Sequence, residues 1–439
     1  MKHPDKPAAH DRFRILVVTQ YFHPENFRIN DLVEGMVARG HEVTVLTGLP
    51  NYPSGRWHDG YGALRGPWRE RLFGASVIRV PMVSRGDSAG WRLMLNYLSF
   101  AFTASTIGAL RARGRYDAIF VFEPSPVTVG IPAAVCRAMT GAPVLFWVLD
   151  LWPESVVAAS GLRARWALGP AEALTRWIYR RCDRVLAQSR AFFGPLERQG
   201  VGAGQLRYFP SWAESVYRPV DREAAARGNG ASPPTPALPV QPVLPVLPVL
   251  PEGFNVLFAG NIGVAQDFPT ILAAAERLRD RLDIHWVVAG DGRMRAWVQD
   301  EIERRSLGRT VHLLGPLPMQ DMPNLFARVD ALLVTLRDEP IFALTIPGKI
   351  QSYLACGRPV IAALNGEGAE VVRRAQAGIA CSAEDPDALA AAVAQMAALP
   401  AAERDTIGAR ARACYLAEFD REQAFRQLER WMAELRKPG

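Results

Sequence analysis

Short apolar runs recur along the chain, each bounded by glycine, proline or polar turn residues. In the first half they read RILVVTQ (14–20), EVTVLT (42–47), SVIRVP (76–81), DAIFVF (117–122), PVLFWV (143–148) and DRVLAQ (183–188). Segments of helical length lie between most of them, such as Ile29–Arg39 ahead of Gly40. Nearly continuous apolar strands alternating with helices predict a parallel sheet covered on both faces. The pattern restarts at FNVLFAG (254–260) and continues through DIHWVVAG (283–290), RTVHLLG (309–315), DALLVTL (330–336), RPVIAA (358–363) and AGIACS (377–382). Helices are predicted at 268–281, 294–306, 348–356 and 386–398, and a last amphipathic helix runs from Asp420 to Lys437.

Between the two series the composition breaks. Residues 228–252 hold eight prolines, with Pro-Val-Leu in tandem. Proline at this density cannot donate to a ladder, so an extended linker is expected. The expected division is a first α/β domain over 13–220, a proline-rich linker over 221–252, a second α/β domain over 253–419 and a closing helix over 420–439. One further stretch, Leu93–Leu110, is eighteen residues without a charge. Arg92, Asn96, Ser99, Thr103, Thr106 and Arg113 recur at helical spacing along it, so it reads as an amphipathic helix rather than a spanning one. Packing on its own domain's sheet and contact with a membrane interface both fit. Trp91, Tyr97 and the arginines at 111, 113 and 115 favour the interface.

Charge sharpens this division. The 439 residues include 51 basic and 44 acidic side chains, for a net charge of +7. Residues 1–220 carry 27 basic and 17 acidic groups, and residues 253–439 carry 22 and 24. The excess therefore belongs to the first domain and suits an anionic partner. No apolar leader opens the sequence, and five widely spaced cysteines suggest a reducing compartment. His23, His58 and His285 look isolated, and no metal spacing is seen.

In open parallel sheets ligands bind beyond the carboxyl ends of the strands. After the first strand comes TQYFHPENFR, with no dinucleotide glycine fingerprint. The second domain offers Gly260-Asn261-Ile262-Gly263, Gly290-Asp291-Gly292 and Gly315-Pro316 after three successive strands. Small residues there let backbone N–H groups approach an anion. Thr345-Ile346-Pro347-Gly348-Lys349 marks a helix start with a lysine in its first turn. Lys349 is one of only four lysines, and the others lie near the termini. A compact cation there suits phosphate, with Arg293 and Arg295 nearby. In the first domain Glu123, Asp150 and Glu154 follow apolar runs. Asp150, between Leu149 and Leu151, would be partly desolvated, which raises a carboxyl pKa.

Together these pieces resemble the family 4 glycosyltransferases, retaining enzymes of the GT-B fold. The resemblance is carried by PENFRINDLVEGMVARGHEVTVLT, FAG-N-IG, AGDGRMR, PGKIQSYLACGRPVIA, NGEGAEVV and AGIACSAEDPDALA. PNYPSGRWHDGYG, DLWPES, GNIGVAQDF and LTIPGK are most similar to the branch that adds L-fucosamine or fucose in O-antigen and capsule assembly. The resemblance implies an α/β GT-B fold, two Rossmann-like domains facing across a cleft. It implies transfer from a nucleotide-sugar, a UDP-sugar favoured over a GDP-sugar, to an undecaprenyl-diphosphate-linked saccharide. No metal or other cofactor is implied, and no nucleic acid partner.

By the same resemblance Gly260, Asn261, Gln266, Arg295, Lys349, Gly366, Glu367, Gly368 and Glu370 surround the donor, and the loop and helix-start positions Gly263, Gly290, Asp291, Gly292, Gly315, Pro347 and Gly348 join them as candidates. Asn26 and Arg28 meet the acceptor. Asp150, Lys349 and Glu123 are the candidate catalytic groups. The basic first domain is expected to rest on the anionic cytoplasmic face of the inner membrane; oligomeric state is left open. The family's glutamate pair falls on Leu344 and Ser352 here, with Asp338 and Glu339 in the preceding loop. A GT-B nucleotide-sugar epimerase and a scaffold subunit of a polysaccharide assembly complex stay open as alternatives.

Overall fold

The computed structural model describes residues 12–63, 65–86, 90–155, 165–226 and 247–436. Residues 227–246, most of the proline-rich stretch, therefore lie outside the described residues, as do residues 156–164. The chain divides into two compact units. One takes residues up to Pro210 and from Glu422 onward; the other takes Ser211–Arg421.

The first unit is built on an eight-stranded sheet ordered β3-β4-β2-β1-β5-β6-β7-β8. Its strands are β1 (Arg14–Val18), β2 (Glu42–Gly48), β3 (Arg69–Leu72), β4 (Ala75–Val80), β5 (Ala118–Glu123), β6 (Val144–Val148), β7 (Arg184–Ala187) and β8 (Leu206–Tyr208). Every pairing is parallel except that of β3 with β4. The central strands are buried on both faces, which is why they read as unbroken apolar runs. The strand order reverses at β1 and β5, the crevice where this class of sheet presents its loops.

The closing helix, Arg421–Leu435, belongs to this unit. Trp431 packs edge-on to Phe209 with centroids 5.6 Å apart, and Glu429 accepts hydrogen bonds from Arg39 at 2.7 Å. Arg39 pulls the Glu429 carboxyl down to about 2 against the cost of burial.

The second unit repeats the plan with six parallel strands ordered β11-β10-β9-β12-β13-β14. These are β9 (Phe254–Ala259), β10 (Ile284–Ala289), β11 (Val311–Gly315), β12 (Ala331–Thr335), β13 (Val360–Ala363) and β14 (Gly378–Cys381). Its order reverses between β9 and β12. Two apolar layers sandwich the sheet, one around Leu325, Ile350 and Leu354, the other around Phe268, Leu272 and Val393.

The helix Gly90–Arg111 is the departure from ordinary packing. It carries a wider π turn at Ala104–Gly108. Asn96, Ser99 and Thr103 of its polar stripe face inward, while Thr106 is exposed and Arg113 lies beyond the helix end. Asn96 is fully buried, accepts from Gln20 at 2.7 Å and donates to the Val83 carbonyl at 2.6 Å. Ser99 accepts from the Val83 amide at 2.9 Å, and Thr103 donates to the Pro81 carbonyl at 2.7 Å. These bonds satisfy backbone that runs on past β4 without a strand partner. Tyr97, Phe100 and Ala101 are buried beside these groups, and most of the other large apolar side chains face out. Trp91 and Phe102 are 68% and 69% exposed, and Met94, Leu95, Leu98, Ile107 and Leu110 are exposed with them. By length and hydropathy this helix is apolar enough to cross a membrane, yet its inner face is committed to its own unit.

Candidate functional site

In the second unit the strand-end loops form one connected arc. The Gly260 amide donates to the Ala289 carbonyl and the Gly290 amide to the Gly315 carbonyl, each at 2.8 Å. The Ile262 amide donates to the Asp291 carbonyl at 2.8 Å. Glycine is required at position 290: φ is +153°, and a Cβ would meet the Gly260 carbonyl oxygen at 1.9 Å. Gly292 lies against the Ile262 carbonyl, and Gly263 against the side chains of Asn261 and Gln266. Asn261 donates to Gln266 at 3.4 Å, and the Thr335 hydroxyl, from the end of β12, donates to the Gln266 carbonyl at 2.5 Å. Arg295 borders the arc at Gly315 and stands 4.0 Å from Asp291.

Lys349 completes the arc. Its side chain runs beside Gly260, where a Cβ would sit 2.9 Å from Cε. Its Nζ is buried, lies 3.4 Å from the centroid of the Phe258 ring and has no hydrogen-bond partner. Burial pushes its pKa down to about 7. A cation–π contact offsets part of the lost hydration. It does not replace the three hydrogen bonds an ammonium can donate. The lysine sits in the first turn of the helix Gly348–Ala355, at the end where the helix dipole favours an anion. Gly366 precedes the helix Glu367–Arg374, and Gly368 in that helix lies against Pro347 and Ile350. Glu370 is exposed and 3.9 Å from Arg373. Of the two positions where the family's glutamates would fall, Ser352 is buried with its hydroxyl on the Gly348 carbonyl at 3.3 Å, and Leu344 is half-buried.

The first unit places acids at the ends of β5 and β6. Glu123 ends β5 and is fully buried, with no well-formed hydrogen bond to either carboxylate oxygen. Burial pushes its pKa well up, and the charge of Asp150 adds to this; the nearby amides of Asp150 and Leu149 oppose the rise only in part. Asp150 follows β6 and is half-buried; desolvation raises its pKa to about 6, while polar groups of Ser155, Ser125 and Trp152 act the other way. Glu123 is thus closed to solvent, and its electrostatics are coupled to those of Asp150. The Tyr179 hydroxyl is buried beside them without a hydrogen-bond partner.

After β1, Asn26 is exposed and Arg28 opens the helix Arg28–Ala38. The group that shapes this loop is one the sequence did not flag. Glu25 is buried and accepts from the amides of Phe22, Asn51 and Tyr52 at 3.2, 2.8 and 2.8 Å. It ties the loops after β1 and β2 together. Arg79, also fully buried, bonds Glu70 and the carbonyls of His23 and Gly48. In the sequence only PEN, with PNY, hints at Glu25, and Arg79 is hidden in the apolar run SVIRVP. His285 is not isolated: its Nδ1 lies 3.2 Å from Nε2 of His312. Among the described residues no three His, Cys, Asp or Glu side chains group to hold a metal ion.

This geometry agrees with comparisons to known proteins. The model for "Glycosyl transferase 4-like domain" matches residues 26–212, and that for "Glycosyl transferases group 1" matches 253–398. A putative colanic acid biosynthesis glycosyl transferase, WcaI of Escherichia coli (strain K12), is 27% identical over 356 residues, 78% of this chain and 81% of that one. Glycogen synthase of Mycobacterium tuberculosis is 26% identical over 148 residues, 34% of each chain. Among solved structures, HepE of Anabaena in complex with UDP matches with TM-score 0.66 and 15% identity, over 96% of this chain and 100% of that one. WaaG, a glycosyltransferase of lipopolysaccharide biosynthesis, matches with TM-score 0.62 and 14% identity, over 95% and 99%. The chain belongs to the family 4 glycosyltransferases and has the α/β GT-B fold, with two Rossmann-like parallel sheets.

Proposed function

We propose that this glycosyltransferase moves a sugar, with retention and without a metal, from a UDP-sugar to a lipid-linked saccharide in the assembly of a cell-surface polysaccharide. The observation that carries the reading is the buried, unpartnered Nζ of Lys349 beside the Gly260–Gly290–Gly315 arc. A buried ammonium without partners is costly, and a diphosphate supplies what it lacks. As the glycosidic bond to the donor breaks, charge accumulates on the departing diphosphate. Lys349, Arg295 and the amide groups of the arc stabilise it there. In the first unit Asp150 is the group that remains both accessible and titratable near neutrality. We assign it to orienting the sugar and stabilising positive charge at its reacting carbon, with Glu123 as a positioning residue behind it. HepE is described with UDP, and WcaI and WaaG are named for surface polysaccharide assembly. These names support the donor base and the pathway class, with a fucosamine-type sugar as the first to try.

We further place the first unit on the anionic cytoplasmic face of the inner membrane, with the outward face of Gly90–Arg111 in the headgroup region. Its apolar residues and the flanking arginines are the composition of an interfacial helix. Calorimetric titration with UDP and a transfer assay on membrane lipid extracts test the main reading together. Binding and transfer in the native chain, with both lost in Lys349→Ala while the protein stays folded, are expected. Full activity in that variant would overturn the site, and UDP binding with epimerised sugar released instead of transferred would overturn the reaction.

A further inference from the structure

The first unit has a second charged hollow near the amino ends of β1 and β2, at the opposite strand ends from Asn26, Glu123 and Asp150. It encloses about 350 Å³. Arg14 opens β1, Glu42 opens β2, and Arg69 lies on β3; Arg111, Arg113 and Arg115 enter from the end of the apolar helix. No step of the transfer reaction uses these residues.

The charges there do not balance. Glu70 is taken by Arg79 and Tyr61. Arg14 pairs with Asp117 at 3.8 Å, and Glu42 with Arg12 at 3.9 Å. Arg69, Arg111, Arg113 and Arg115 have no ion pair among the described residues, although all four border one hollow. Guanidinium groups gathered without a counter-charge repel one another, and their planar donor forks match a phosphate.

The position of the hollow says what carries the phosphate. Ile107 and Leu110 are the last outward apolar residues of the helix. The helix ends at Arg111, and Arg113 and Arg115 follow it within five residues of Leu110. A helix lying in the interface plane with its apolar face inward carries the residues that flank its end into the headgroup layer, so these arginines meet phosphate when that face meets acyl chains.

We propose that the hollow bounded by Arg69, Arg111, Arg113 and Arg115 binds the phosphate of an anionic phospholipid, so that the first unit holds a specific lipid as well as a membrane surface. This rests on the interfacial placement of the helix, and the test separates the two. The probe is dihexanoyl-phosphatidylglycerol below its micelle concentration, compared with dihexanoyl-phosphatidylcholine and inorganic phosphate by calorimetry. The anionic lipid is expected to bind tighter than either. In Arg113→Ala/Arg115→Ala its affinity should fall roughly thirtyfold, at about 1 kcal/mol per basic residue near the surface. Unchanged affinity in that variant overturns the lipid site. Equal binding of inorganic phosphate overturns the lipid as its ligand. Vesicle binding by Phe102→Ser reads the helix alone: its loss with intact binding of the soluble lipid leaves the pocket standing. Intact helix-dependent vesicle binding without any soluble-lipid preference removes the pocket and leaves the interfacial reading.

Discussion

The two units share a plan and reverse its electrostatics. At the switch point of the second unit the chain places glycines and a buried lysine; at that of the first it places Glu123 and, next to it, Asp150. Burial drives each group toward its neutral form, so the lysine falls to about 7 and the aspartate rises to about 6. Starting from ordinary values of 10.5 and 3.8, the two converge on neutrality from opposite sides. The lesson is that each sheet end is incomplete in its own way. The second unit holds a buried ammonium without a hydrogen-bond partner, and the first holds carboxyls whose charge burial disfavours.

The largest way to break this contrast is Lys349→Ala. Removing a donor aimed at developing charge costs about 10²–10³-fold in turnover. We expect that loss in a steady-state transfer assay, with a melting temperature no lower than that of the native chain. Next comes Asp150→Asn, expected to lower turnover by roughly tenfold or more. The sign of its stability effect is opposite. The folded pKa of about 6 lies above the unfolded value of 3.8, so its stabilising contribution is complete below 3.8 and is lost as pH rises through 6. At pH 8 the neutral amide escapes that loss, and denaturant unfolding should show the variant about 1–2 kcal/mol more stable. A less stable variant would mean that the carboxylate is structurally bonded instead.

The lysine gives a pH signature. In the free protein it is half-charged near pH 7, and a diphosphate favours the charged form. Donor binding above pH 7 therefore takes up a proton, and affinity falls toward tenfold per pH unit as pH rises. Below pH 7 this group adds no slope. For the free chain, a folded pKa below the unfolded value means that stability is full above about 10.5 and declines as pH falls from there through 7. Titration of a UDP-sugar between pH 6 and 9 reads the slope. Lys349→Arg, always charged, should flatten it.

The sequence showed one sheet end better than the other. The twelve expected strands all form, because parallel strands buried on two faces are nearly pure apolar runs such as Phe254–Ala259. β3 was missed because RERL, a charged antiparallel edge strand with Arg69 and Arg71 outward, is not an apolar run. The helix Ala401–Cys414 was missed because its apolar residues form no stripe, and only Gly408 and Ala411 are buried in it. Glycines and Lys349 could be read because they act through backbone shape and rarity. Phe258 beneath Lys349, and Glu25 clasping Asn51 and Tyr52, could not, since those contacts join loops that only the strand order brings together.

The Gly90–Arg111 helix sharpens the contrast in its outer layer. Helices of the second unit turn apolar stripes inward, as Ile271, Leu272 and Ala275 do in the helix Phe268–Arg277. A polar stripe at Asn96, Ser99 and Thr103 was legible, but not that it would face the sheet. That choice follows from unpaired backbone at Pro81 and Val83, which only hydroxyl and amide side chains can satisfy. The reversal leaves Phe102 and Trp91 outside, where truncation removes apolar area without touching the core. Phe102→Ser should therefore leave the melting temperature nearly unchanged. The side chain contributes roughly 1–2 kcal/mol when buried in an apolar phase, so vesicle affinity should fall by about tenfold. Asn96→Leu makes the opposite demand: vesicle binding is kept, but the loss of bonds to Gln20 and Val83 lowers stability by about 1–3 kcal/mol. If instead Phe102→Ser melts early while its vesicle binding is unchanged, the outward face packs on protein and the two units are alike in their outer layers after all.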